Sequence, residues 1–88
     1  MNIEELTYYD VLPLRRLNGK YHKKGNKLTL QNGIELTSKE DLMNIPDELE
    51  FTLHVLTGSD TNTGKVYWCA ALASKDTKMR IIAAGELE

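Results

Sequence analysis

The sequence predicts an α+β domain with an antiparallel sheet of about five strands, an N-terminal helix and a short helix near residues 38–44. Two observations favour this class. Apolar and polar residues alternate in several short segments after residue 27, and turn-forming residues separate these segments. Helical spacing of apolar residues, by contrast, begins at Ile3 and Leu6. Such a sheet can stay open or curl toward a small barrel, and the sequence is compatible with both.

The first helix is predicted from its end signals. Asn2 can cap it, because Glu5 follows three residues later at the spacing of a capping box. Ile3 and Leu6 begin an apolar stripe on one side of this helix. Pro13 ends the helix, because the residue before a proline is kept out of the helical region.

A hairpin is predicted around Asn32-Gly33. A two-residue loop would place Leu30 opposite Glu35 and spread the apolar residues over both faces of the hairpin. A three-residue loop, Gln31 to Gly33, instead pairs Leu30 with Ile34 and Leu28 with Leu36. It also places Gly33 where a left-handed conformation is needed. The sequence therefore favours the three-residue loop.

The next segment, Ser38 to Asn44, is predicted as the short helix, because a serine followed by acidic residues suits a helix N-terminus. Ile45-Pro46 closes it. Three strands joined by hairpins follow, with the sequences FTLHVL, KVYWCAALAS and KMRIIAAG. The middle strand is continuously apolar, which predicts a central position with both faces buried.

The core is expected around one of two adjacent aromatic residues in that middle strand. Successive side chains of a strand point to opposite faces, so only one of the pair can face the helices. The expected core members are Trp68 or Tyr67, with Phe51, Leu53, Val55 and Ile81.

Length and composition indicate one small globular domain. The chain has 88 residues, of which 41% are hydrophobic and 27% charged. Residues 1–86 are assigned to the domain, and the final Leu87-Glu88 is interpreted as a cloning remnant. The longest uncharged apolar run, Val66 to Ala73, is far shorter than the roughly 20 residues that span a bilayer. With a single cysteine and an acidic N-terminus that lacks the features of a secretory signal, we expect a cytoplasmic protein.

No set of residues forms a catalytic or metal-binding pattern. His22 and His54 lie in different elements, and neither has a second ligand at helical or strand spacing, so no metal or cofactor is expected. Cys69 sits in the most apolar strand and is interpreted as a small buried hydrophobic residue. The chain is therefore expected to be a binding protein more than an enzyme. The alternative left open is a minor enzyme or nucleotide-binding protein whose site forms between the subunits of an oligomer.

The strongest local feature is a basic stretch from Arg15 to Lys27. The span from Val11 to Ile34 holds six basic residues and no acidic one, while the rest of the chain has a net charge of −8. The candidate partner-binding residues are Arg15, Arg16, Lys20, Tyr21, His22, Lys23, Lys24 and Lys27. Turn-forming residues bracket residues 20–24 and suggest a short exposed strand.

Two functions fit this stretch. The first is a small protein-binding module that recognises an acidic protein surface through charge, as a bacterial or phage inhibitor or adaptor would. The second is a nucleic-acid-binding regulator, in which Tyr21 stacks on a base and the lysines contact phosphates. A sequence pI near 5.7 disfavours nucleic acid. A solvated face without a partner is the third interpretation.

Overall fold

The computed structural model describes residues 1–75 and 78–87, and within them one antiparallel sheet of six strands carries the fold. The strands are β1 (Asn18–Lys24), β2 (Lys27–Leu30), β3 (Glu35–Thr37), β4 (Glu48–Ser59), β5 (Val66–Ala73) and β6 (Met79–Leu87). Their order in the sheet is β3-β2-β1-β4-β5-β6. The α+β class is confirmed. The strand in excess of the five predicted is β1, which the basic stretch forms. The sheet is not closed into a barrel, since β3 and β6 lie at its opposite edges.

The N-terminal helix is shorter than predicted. It is divided into a 3₁₀ turn (Ile3–Glu5), a helix α1 (Tyr8–Val11) and a second 3₁₀ turn (Leu12–Leu14). Thr7 starts α1 with a capping box of its own, in which the Thr7 amide donates to Asp10 Oδ2 at 2.9 Å. This backbone hydrogen bond lowers the pKa of the Asp10 carboxyl. Asn2 makes no capping hydrogen bond with its side chain, and the capping box is formed at Thr7 instead. The new helix start at Thr7 interrupts the expected helix.

The short helix predicted at residues 38–44 is absent, and residues 38–47 form an irregular connection. Its backbone donors bond outside the segment: the Ser38 amide donates to Asn26 O at 2.8 Å and the Lys39 amide to Glu4 Oε1 at 2.6 Å. That bond to Lys39 is the main cause that lowers the pKa of Glu4. The connection still fills the core, because Leu42 and Ile45 are both buried.

The hairpin of β2 and β3 has the predicted register. Leu28 pairs with Leu36, and the Leu30 amide donates to Ile34 O at 2.8 Å. Gly33 has a φ of +88°, as a three-residue loop requires.

The inner face of the sheet carries the core and is covered by the N-terminal segment, in which α1 packs on β5 and the first 3₁₀ turn on β6. The buried apolar side chains on or against this face are Ile3, Val11, Tyr21, Leu28, Leu30, Leu36, Leu42, Ile45, Phe51, Leu53, Trp68, Ala70, Leu72, Ile82 and Ala83. Trp68 is buried and Tyr67 is exposed, so the tryptophan is the core aromatic. β5 lies between two strands, as its apolar sequence predicts.

The placement of Ile81 in the core was wrong. Ala71 pairs with Ile81 but Ala70 pairs with Ala83, so a β-bulge leaves Ile82 without a partner on β5. The extra residue shifts the alternation of β6. Ile82 is therefore buried, while Ile81 points outward and is 59% exposed.

Leu87, interpreted from the sequence as part of a cloning remnant, belongs to β6 and pairs with Val66. Glu88 lies outside the described residues. Among the residues that the structure describes, no helix is long and apolar enough to cross a bilayer.

Candidate functional site

The basic stretch divides between the two faces of the sheet. Alternation along β1 turns Lys20, His22 and Lys24 to the outer face, and Tyr21 and Lys23 to the inner face. Tyr21 is buried, its hydroxyl donates to Pro46 O at 2.8 Å, and its ring packs edge-on against Phe51. A tyrosine held in this way cannot stack on a base, so that part of the nucleic-acid interpretation is wrong.

Two of the six lysines and arginines of the basic stretch form ion pairs with acids from other elements, and His22 contacts a third acid. Lys23 is almost enclosed, with its side chain 13% exposed, and its ammonium donates to Leu42 O at 3.0 Å and lies 3.4 Å from Asp47.

Two further pairs lie in the open. Lys27 lies 3.1 Å from Glu35, and His22 lies 3.2 Å from Glu48. The stretch is free of acids in sequence but not in space, because pairing with β3 and β4 brings carboxylates alongside it.

Four cations of the stretch make no ion pair with the described residues: Arg15, Arg16, Lys20 and Lys24. Arg16 has a φ of 66°, and its amide donates to Leu53 O at 2.9 Å, so the turn before β1 is tied to β4. Lys20 and Lys24 are four positions apart on β1, about 13 Å along the strand. These charges are spread along a strand and a turn, and they do not converge on one point.

The outer face of β4, β5 and β6 has a different character. Its apolar side chains form what we call the outer patch: Leu56, Tyr67, Cys69, Ala71, Met79, Ile81 and Ala84. Cys69 pairs with both Leu56 and Ala84, and Ala71 pairs with Ile81, so the members are neighbours across three strands. Leu56, Tyr67 and Met79 are 43–50% exposed. Apolar side chains of this size grouped on one face mark a contact surface more often than scattered ones do.

Two small residues of β5 form the middle of the outer patch. Cys69 lies between Leu56 on β4 and Ala84 on β6 and is partly exposed, whereas Ala71 lies between His54 and Ile81 and is fully buried. No member of the patch is charged, and Glu86 stands at its border next to Tyr67. The bulge in β6 turns Ile81 to this face. The signal that the sequence offered was the pair of adjacent isoleucines at 81 and 82, since regular alternation can bury only one of them.

A polar groove of about 610 Å³ adjoins the patch at the Thr52 end of the outer face. It is lined by amide, hydroxyl and imidazole groups of Asn18, Gln31, Thr52 and His54, with the Lys75–Glu50 ion pair at 3.3 Å on its border. Gln31 is held in place, because its Oε1 accepts from the Lys20 amide at 2.9 Å. The groove gives the apolar patch a rim of hydrogen-bonding groups.

The remaining sequence candidates have structural roles. The loop after β4 is a turn stabilised by Asp60, whose Oδ1 accepts from the Asn62 amide at 2.8 Å. Cys69 is partly exposed within the outer patch. In the described parts of the chain, no three histidine, cysteine or carboxylate groups lie together as metal ligands would.

No family model, curated protein or solved structure that was compared with the chain matches it. Function is therefore inferred from the surface alone.

Proposed function

We propose that the protein is a small binding module, an inhibitor or adaptor of bacterial or phage type, that docks on another protein through the outer patch. The observation that carries the proposal is an uncharged apolar surface, built across three strands, on the face of the sheet opposite the core. Interface cores are depleted of charge and enriched in Tyr and Met, both of which the patch contains.

The total surface supports this reading. The chain exposes 5861 Å², while a compact monomer of its 10.0 kDa mass exposes about 5,200 Å² by the usual scaling. The excess is of the same order as the roughly 800 Å² that one partner contributes to a standard interface. A sheet with one uncovered face exposes more surface than a compact monomer of the same mass, because no second layer packs on that face.

The cations of β1 favour an acidic partner. Lys20 and Lys24 lie on the same face as the patch but on β1, beyond β4, and neither is ion-paired with a described residue. The charge at the border of the patch itself is Glu86. Exposed charges outside the desolvated centre mainly raise the association rate, and the centre sets the dissociation rate. The proposed partner is thus a protein with an apolar contact and, toward β1, carboxylates.

Nucleic acid has weaker support, because the aromatic residue of the stretch is buried and two of its lysines, Lys23 and Lys27, already face carboxylates. The two partners also differ in salt response. Each neutralised phosphate contributes about −0.9 to the slope of log K against log salt, whereas a protein interface with an apolar centre keeps most of its affinity.

The test compares variants in a capture experiment from the source cell. Ile81→Lys with Leu56→Lys places two charges in the patch, and Met43→Lys places one at an apolar residue that is 87% exposed but lies in the 38–47 connection. We expect one protein to be retained by the parent and by Met43→Lys, and lost at least about tenfold from the patch variant, since a buried unpaired charge is costly.

Cys69 provides an independent readout, because it lies in the patch and its thiol is partly exposed. Its alkylation should slow when the retained partner is added. A retained protein that binds the patch variant as well as the parent, or that leaves Cys69 alkylation unchanged, would exclude the patch. Loss of all binding in 200 mM salt, with retention of nucleic acid at 50 mM, would favour the second function instead.

A further inference from the structure

The two edge strands of the sheet, β3 and β6, differ in the hydrogen bonds that their outward backbone groups make. At the β3 edge the Met1 amino group donates to Glu35 O at 2.6 Å, and the Thr37 amide donates to Met1 O at 2.7 Å. Asn2 forms a parallel bridge with Thr37. The chain's own first residues therefore satisfy the backbone of β3, which is only three residues long.

The β6 edge is longer, and its outward backbone groups make no hydrogen bond with residues 1–75 or 78–87. β6 has nine residues, and no backbone hydrogen bond joins it to any described residue other than those of β5. The first 3₁₀ turn packs near it without such a bond. The strand contains no proline and only two charged residues, Arg80 and Glu86. Natural edge strands are normally protected by charge, proline or a covering segment.

We propose that a second copy of this chain covers the edge, by pairing antiparallel with β6 to form one twelve-stranded sheet across a two-fold axis. The sealed β3 edge is the main reason for choosing a second copy. A sheet with two open edges would propagate into an open fibre, whereas a sheet with one open edge closes on itself as a dimer.

The charges of the chain oppose self-pairing only weakly. The net charge is −2, and Glu86 lies 3.9 Å from Lys65 of its own chain. The bulge at Ile82 confines regular pairing to residues 83–87, so the two-fold axis passes through the middle of that range, at Gly85. Ala84 and Glu86 share the outer face, so Ala84 of one copy lies opposite Glu86 of the second copy.

The dimer leaves the proposed binding surface open. An axis perpendicular to the sheet keeps both outer faces on the same side, so the two outer patches become neighbours on one continuous surface. The dimer does not depend on the proposed function, because edge pairing uses backbone groups and the patch uses side chains on the face.

The test is the mass of the purified protein by sedimentation equilibrium, over about 1 to 300 µM, the range expected for a small interface. We expect the mass to rise toward twice 10.0 kDa. Ala84→Glu places a carboxylate opposite Glu86 of the second copy and should weaken the dimer at least tenfold, whereas Ala84→Lys places an opposite charge there and should keep it. Adding Glu86→Lys to Ala84→Glu should restore the dimer, because opposite charges then meet.

Two controls separate the edge from the face. Leu56→Lys changes the outer patch two strands away from the edge, and Met43→Lys changes the 38–47 connection; both should keep the parent mass. Trp68 fluorescence verifies folding of every variant. A monomeric parent at all concentrations would overturn the proposal. So would dimers lost in Leu56→Lys but kept in Ala84→Glu, or a failure of the added Glu86→Lys to restore the dimer.

Discussion

The outer face of the sheet has two halves that rest on different physics. On β1–β3 it is ionic, and exposed pairs such as Lys27–Glu35 balance one another across neighbouring strands. On β4–β6 it is uncharged from Leu56 to Ile81. An exposed ion pair stabilises a fold by less than about 1 kcal/mol, and its charges are well solvated by water. Exposed apolar surface is unfavourable in water, so its free energy falls when another surface covers it. Covering the ionic half with a partner would therefore gain little free energy, whereas covering the apolar half would be favourable.

The largest effect should come from the inner side of the apolar half, where burial stabilises the fold. Trp68→Ala is expected to cost about 3–5 kcal/mol, because it empties a buried aromatic site. Its neighbour Tyr67 points to the outer face and is 43% exposed, so Tyr67→Ala should cost less than about 1 kcal/mol. Urea unfolding of both proteins measures the difference. Equal losses in the two variants would mean that the outer patch already contributes to folding.

The second effect concerns the ionic half, which depends on backbone geometry. Gly19 has a φ of +138°, and a Cβ there would fall on Gln31 Oε1, the atom that accepts from the Lys20 amide. We expect Gly19→Ala to cost about 2–3 kcal/mol in thermal or urea unfolding, because alanine rarely adopts this φ and the Gln31 side chain must give up its hydrogen bond to make room.

Gly33 is the matched control, since its φ is also positive but nothing lies within 4 Å of a built Cβ. Gly33→Ala should cost only about 1 kcal/mol, the backbone contribution alone. If the two alanine variants unfold alike, the close approach of Gln31 is of no consequence.

A third, smaller effect distinguishes two adjacent lysines of β1, Lys23 on the inner face and Lys24 on the outer face. Lys23→Ala removes the donor that satisfies Leu42 O in a nearly enclosed site and should cost about 1–2 kcal/mol. Lys24→Ala lies on the solvated side and should stay within about 0.5 kcal/mol of the parent. Denaturant midpoints at high and low salt provide the measurement, and a larger cost for Lys24 would contradict the assignment of faces.

The smallest effect is a pH dependence at Glu4. Its pKa is lowered from 4.5, mainly by the hydrogen bond from the Lys39 amide, so ionised Glu4 stabilises the folded state. That contribution is present above pH 4.5 and is lost as the pH falls through the lowered folded-state pKa. Glu4→Gln should therefore be less stable than the parent near neutral pH, with the gap closing in acid. A gap that widens toward low pH in thermal melts would reverse the sign and refute the prediction.

Local patterns predicted the elements whose partners are close in sequence. Leu28 and Leu36 specified the register of the hairpin, and the apolar run of β5 specified its position between two strands. The helix predicted at residues 38–44 failed because Glu4, more than thirty residues away, accepts the amide of Lys39. The sequence of residues 38–44 alone therefore could not predict that hydrogen bond.

The candidate site was predicted only in part for the same reason. The basic stretch was found, but the acids that neutralise it, Asp47 and Glu48 among them, arrive through strand pairing. The outer patch was missed because a bulge at Ile82 reverses the alternation of β6, and a bulge depends on the register of two strands. Both errors concern which side of the sheet a residue faces.

The position of β6 at the edge also matters before the fold is complete. β5 pairs with β4 on one side and with β6 on the other. While β6 is not paired, the most apolar strand of the protein is itself an open edge. Trp68 to Ala73 then form an unpaired template for other chains, so chaperone protection would have its greatest benefit before β6 docks.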